Sequence, residues 1–155
     1  MTDQKILALN DAEVRLVNDN LRLAGDLAAR YVGRREPLPS LELLNETFLA
    51  WAKAEPEHRE HPNIIVNALG MALGQHLVSA AGLEWAVVAD EQGSDLAVHG
   101  QPGDILVFPT HATAKRCESK EYDFFRWFFE TIVQEVNRMK AEWRQPSSAS
   151  GRTRA

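Results

Sequence analysis

The residues best suited to chemistry in this chain stand together just after a short apolar run: His111, Lys115, Arg116 and Cys117. Adjacent cations lower a thiol's pKa and make it reactive. A lone cysteine is more often a small buried hydrophobe. Lys115 and Arg116 are suited to receiving an anionic partner. The structural alternative is that they pair with a carboxylate such as Glu84 or Asp95. Two further arrangements have chemical spacing. His58-x-x-His61 could offer two metal ligands, but it lies between Pro56 and Pro62 with no third ligand nearby. Metal sites need three or four placed groups, so no metal is expected. Glu84 and His99 would form an acid–imidazole pair only if their strands pair in one particular register.

The chain lacks a Gly-x-Ser-x-Gly elbow, a His-Glu-x-x-His pair, a dinucleotide glycine fingerprint, a phosphate loop and EF-hand spacing. No catalytic set is therefore assigned and no cofactor is expected. Its net charge of −5 argues against nucleic-acid binding, which runs on excess Lys and Arg at phosphates. With one cysteine there is no internal disulfide, which suits a reducing, cytoplasmic setting. The N-terminal apolar run is only Ile6 to Leu9, too short for a signal-peptide core.

The 155 residues, 45% hydrophobic and 25% charged, suit one globular domain over 1–145. The Ser-, Gly- and Arg-rich tail over 146–155 has almost nothing to bury and is expected to be disordered. A first helix is expected from Asp11 to Tyr31, capped by Asn10 or Asp11 and ended by Gly33. Val14, Val17, Leu21, Ala24 and Ala28 form its stripe. Ser40 caps a second helix from Leu41 to Ala54. Asn63 caps a third that stops at Gly82. Three strands follow, over Leu83–Ala89, Asp95–His99 and Asp104–Phe108, joined by short turns into an antiparallel meander. Pro102-Gly103 is placed for a type II turn. Thr110 to Lys120 reads either as a short helix or as more of the third strand. An aromatic helix runs from Glu121 to Trp143. The expected fold is α+β: four helices on a three-stranded meander, in the order α-α-α-β-β-β-α.

The register of the first hairpin is open to two readings. A three-residue loop, Glu91-Gln92-Gly93, puts glycine in the left-handed position and pairs Trp85 with His99. A two-residue loop pairs Glu84 with His99, but would ask Glu91 and Gln92 for positive φ. Turn chemistry favours the first.

The third helix carries Gly70-x-x-x-Gly74 in the most apolar stretch of the chain. Each glycine costs about 1 kcal/mol relative to alanine, so a neighbour is expected to lie close against that face. Asn67, Gln75 and His76 interrupt the stretch, which argues for a buried helix and against a membrane span. On the last helix, Phe125, Phe128 and Phe129 point to the core. Phe124 and Trp127 are harder to accommodate and would mark an interface if exposed.

Ala68-Leu-Gly70-x-x-Leu-Gly74-x-x-Leu77, Gly82-Leu-Glu-Trp85, Asp90-x-x-Gly93, Phe108-Pro109 and Lys115-Arg116 together resemble a family of small bacterial proteins classed as a domain of unknown function. The resemblance covers Phe48 to Phe129. It implies a bacterial source and a compact α+β domain, with no chemistry to carry over. The matching Trp85, Lys115 and Arg116 fit a structural and a binding role alike. With His111, they are the candidate binding residues. The first functional reading is a non-catalytic protein-interaction module, immunity- or adaptor-like. The alternative is a small anionic-ligand binder or enzyme with its site after the third strand. A third reading is a homodimerisation module using Trp127 or Trp143.

Overall fold

Asn10 starts the first helix by a reciprocal cap. Its side chain accepts the Glu13 N–H, and the Glu13 carboxylate accepts the Asn10 N–H, both at 2.8 Å. Helix α1 spans Asp11–Val32 and stops at Gly33, whose φ of 82° is left-handed. Its buried stripe begins at Val17. Val14, expected on the stripe, is exposed. The computed structural model describes the backbone of residues 4–154 and the side chains of 4–144. The expected disorder of the 146–155 tail lies outside the fully described residues.

Helix α2 spans Leu41–Lys53, and the Ser40 hydroxyl accepts the Leu43 N–H at 3.1 Å. Helix α3 spans Pro62–Ala81. Its cap is His61 rather than Asn63: the ring Nδ1 of His61 accepts the Asn63 N–H at 3.0 Å. Pro62 in the first turn moves the helix start two residues earlier, because proline suits a position that needs no N–H. By length and composition α3 could cross a membrane, and 61% of that apolar window is buried inside the fold. It is the central helix, touching α1, α2, α4, α5 and the sheet.

The sheet has four strands, not three, in the order β1-β2-β3-β4, all antiparallel. The added strand is β1, Lys5–Leu7, at the N-terminus. Three residues are too short to show a period of two, and only pairing with Val87–Ala89 makes them a strand. Strands β2 (Glu84–Asp90), β3 (Gly93–Gly100) and β4 (Ile105–Val107) form the expected meander.

The first hairpin takes the two-residue loop, so Glu84 faces His99 and Trp85 faces Val98. This overturns the register that turn chemistry favoured. Neither Glu91 nor Gln92 takes positive φ. Instead Gly93 adopts φ 137° as β3 begins, and the Asp90 carboxylate accepts the Gln92 N–H at 2.8 Å. The glycine thus absorbs the strain from just outside the loop. In the second turn Gly103 has the positive φ expected of it, 75°, and Asp104 follows at 52°.

Thr110 to Lys120 is helical: α4 spans Pro109–Ser119. It is a fifth helix where four were expected. Lys120, at φ 60°, closes it and lets the Glu121 N–H reach the Arg116 carbonyl at 2.9 Å. The last helix, α5 (Phe125–Arg154), therefore begins four residues later than expected. Its first N–H is capped from another element, by Asn45 Oδ1 of α2 at 3.2 Å.

Two apolar clusters make the core. One, around Phe48, Trp51, Leu69, Leu73 and Phe125, joins α1, α2, α3 and α5. The other, around Leu77, Leu83, Val98, Val107 and Val136, joins α3 and α5 to the sheet. Phe128 and Phe129 pack against both.

Candidate functional site

The two glycines of α3 decide where α4 sits. A Cβ on Gly70 would lie 2.8 Å from the Thr110 Cα. One on Gly74 would lie 2.8 Å from Trp85 Cζ2 and 2.9 Å from Pro109 Cγ. The helices thus approach at the glycine face, and the Trp85 indole enters the notch at Gly74. Trp85 Nε1 donates to Gln75 Oε1 at 3.0 Å, which fixes the ring on α3. Thr113, fully buried, donates to the Pro109 carbonyl at 2.8 Å and keeps the inner face of α4 free of unpaired polar atoms. Of the four binding candidates, Trp85 therefore belongs to the packing face of α4.

The other three line the outer face of α4. Lys115 follows His111 by four residues and shares its side of the helix, while Arg116 stands about 100° round from Lys115 at the flank of the same face. With Phe108, Glu121 and Phe128 they border a cleft of about 730 Å³. The His111 ring stacks on Phe108, with centroids 5.4 Å apart and planes 17° apart, and its Nε2 lies 3.3 Å from Asp95 Oδ1. Lys115 is exposed and forms no salt bridge among the described residues.

Arg116 is the most constrained cation. Its Nη1 donates to Glu121 Oε1 at 3.0 Å, and the same oxygen accepts the Ser119 hydroxyl at 2.6 Å. The guanidinium lies 5.6 Å from the Phe124 ring centroid and 5.5 Å from that of Trp127. Such contacts contribute about 0.5–1 kcal/mol each at exposed sites. A second cleft, of about 380 Å³, opens on the far side of the pair and is bordered by Asp123, Phe124 and Trp127. Arg116 and Glu121 border both clefts. Only half of the expected aromatic pair is exposed: Phe124 is 4% exposed and in the core, Trp127 is 59% exposed.

Ser119 and then Arg116 hold the Glu121 carboxyl below the ordinary carboxylate range. A carboxylate whose folded pKa is depressed contributes stability above its unfolded pKa and loses it as pH falls through the folded value. Glu121→Gln should therefore flatten part of the acid-side loss of stability. Melting temperatures between about pH 6 and pH 3 check this, since carboxylates titrate there. A wild-type and variant difference that stays constant with pH would contradict it.

The remaining sequence candidates separate from the cleft. Cys117 is half-buried, and burial pushes its thiol up despite the Arg59 charge, so it is not an activated nucleophile. His58 ends a short 3-10 turn (Pro56–His58) and His61 caps α3. No group of three metal-ligating residues occurs among the described residues. Glu84 does face His99 across the strands, but the imidazole Nε2 lies 2.9 Å from Asp104 Oδ1 instead. Asp95 pairs with His111 rather than with Lys115 or Arg116. Glu121 and Ser119, which complete the Arg116 site, went unnoticed in the sequence. Their only signal is spacing across the break between α4 and α5. A further apolar groove of about 500 Å³ lies between Pro102 and Trp143. Its Lys140 already donates to the Ala81 carbonyl at 3.0 Å, closing the end of α3.

The fold and cleft define a small α+β domain whose helix after the sheet presents a cationic, aromatic-lined face. The chain belongs to the family described as a Domain of unknown function (DUF3806), matched over residues 44–128. The matched segment begins in α2 and ends in the first turns of α5, so it contains all of α4 and both clefts. No curated protein and no solved structure matches the chain.

Proposed function

We propose that this domain is a non-catalytic, cytoplasmic bacterial interaction module that binds a protein partner through the α4–α5 face. The carrying observation is Trp127: a large aromatic, 59% exposed, beside an arginine that stacks on it. Tryptophan and arginine are the residue types most enriched among those that dominate protein–protein binding energy. Two of the polar pairs on this face are internal, Arg116 with Glu121 and His111 with Asp95. None is paired with a buried nucleophile, so the arrangement suits recognition better than bond-making.

The test is capture of the tagged protein's partners from lysate of its source, with wild type and Trp127→Ala side by side. One stoichiometric protein, lost in Trp127→Ala while the melting temperature stays within about 2 °C, is the expected result. The same partner retained at full yield by Trp127→Ala would remove this face from the reading. A second reading, a small anionic ligand, is favoured by the Lys115 ammonium at the larger cleft. It would show as a bound small molecule in the purified wild type that Lys115→Ala loses.

A further inference from the structure

The two clefts on either side of Arg116 differ in charge. The larger holds His111 and Lys115. The smaller holds Asp123 beneath Trp127. The bridge between them is the Arg116–Glu121 pair, which borders both. Glu121 reaches this position from the connection after α4, where Lys120 has turned the chain back. It presents a carboxylate to a guanidinium whose other sides meet the Phe124 and Trp127 rings. The chain thus already seats one of its own acidic side chains in the site. The charge order along the groove is cation, ion pair, aromatic with acid.

We infer that the groove takes an acidic segment of the protein partner, its carboxylates on Lys115 and Arg116 and its neighbouring apolar side chain over Trp127, with Glu121 as the built-in competitor for Arg116. This rests on the interaction reading above and names the partner's chemistry. The acidic group belongs in the larger cleft, because Asp123 repels it from the smaller one. The apolar group belongs on Trp127, which is 59% exposed beside the Arg116 guanidinium. From His111 to Arg116 the helix rises about 7.5 Å. The Trp127 ring centroid lies a further 5.5 Å from the Arg116 guanidinium, so the groove suits a short extended segment at roughly 3.3 Å per residue.

The test uses the full chain and a fluorescein-labelled eight-residue peptide of alternating leucine and glutamate, read by anisotropy at low salt. A peptide of alternating leucine and lysine and inorganic phosphate are the comparison probes. Saturable binding of the acidic peptide is expected, weakening as salt rises. Glu121→Gln should tighten it about three- to fivefold, the scale of one exposed ion pair. Lys115→Glu should abolish it, and the remote Glu135→Gln should leave it unchanged. Three results would overturn the inference: no binding to wild type or Glu121→Gln, equal binding of the lysine peptide, or tightening in Glu135→Gln as large as in Glu121→Gln. Displacement of the peptide by low-millimolar phosphate would also overturn it, by making the cleft a site for small anions. If a Trp127-dependent partner is captured while the acidic peptide fails to bind, the interaction reading stands and only the partner's chemistry is wrong. If neither occurs, both fall.

Discussion

Phe48→Ala should destabilise the domain by about 3–5 kcal/mol, the usual cost of emptying a fully buried aromatic site. Phe48 is 0% exposed and has no side that water reaches. Its ring lies 6.1 Å from Trp51, 5.7 Å from Phe125 and 5.0 Å, edge to face, from Tyr122. Three elements meet there: α2, the start of α5, and the connection that carries Glu121. Domains of this size are stable by about 5–15 kcal/mol in all, so the loss is a large share of the whole. The melting temperature should fall by about 6–20 °C, and denaturant unfolding checks the free energy. Phe48→Leu, which keeps most of the volume, should cost clearly less. A loss below about 1 kcal/mol for alanine would mean that the aromatic cluster is not the core of this half. Because Tyr122 adjoins Glu121, Phe48→Ala should also loosen the groove, and faster amide hydrogen exchange over residues 119–127 would show it.

The second large effect has a sign that separates two explanations. By helix propensity alone, Gly70→Ala and Gly74→Ala each stabilise α3 by about 1 kcal/mol. The packing predicts the reverse, a net loss of about 1–3 kcal/mol for each, the range for overfilled cores. At Gly70 the obstacle is the backbone of α4, the Thr110 Cα at 2.8 Å, so a whole helix must move. At Gly74 it is the Trp85 ring together with Pro109. Trp85 is only half-buried and could swing outward, at the loss of its bond to Gln75. Gly70→Ala should therefore be the worse of the two. Trp85→Phe removes the ring atoms that block Gly74, so it should partly rescue Gly74→Ala and leave Gly70→Ala unrescued. A double-mutant cycle measures this directly. Stabilisation by either alanine would show that α4 does not pack at the glycine face.

Lys115 and Arg116 were visible as adjacent cations in the sequence, because charge and spacing are local facts. Helices α1 and α2 and the end of α3 were legible for the same reason. Asn10, Ser40, Gly33 and Gly82 are caps that act within one turn of their own helix. The meander was legible because its turns are short. The glycines announced a close approach, since two of them on one helical face have a cost that only packing offsets.

What filled the approach could not be read, since Trp85, Pro109 and Thr110 meet Gly70 and Gly74 only after the chain has folded back through the sheet. The same holds for β1, which becomes a strand by pairing with residues at the far side of α3. The hairpin register turned on the conformation of one glycine, Gly93, which lies outside the loop it relieves. The site shows the division most clearly. Sequence singled out the cations after the third strand, but that they ride on a helix, and which groups they meet, was decided by tertiary structure. Asp95 comes to His111 from β3, and Glu121 comes to Arg116 because Lys120 reverses the chain. The start of α5, which carries Trp127, is set by Asn45 from α2. Local preferences determine which residues are helical and charged. Which of them face one another depends on contacts between distant segments, whose free energies are comparable to those local preferences and override them where the core demands it.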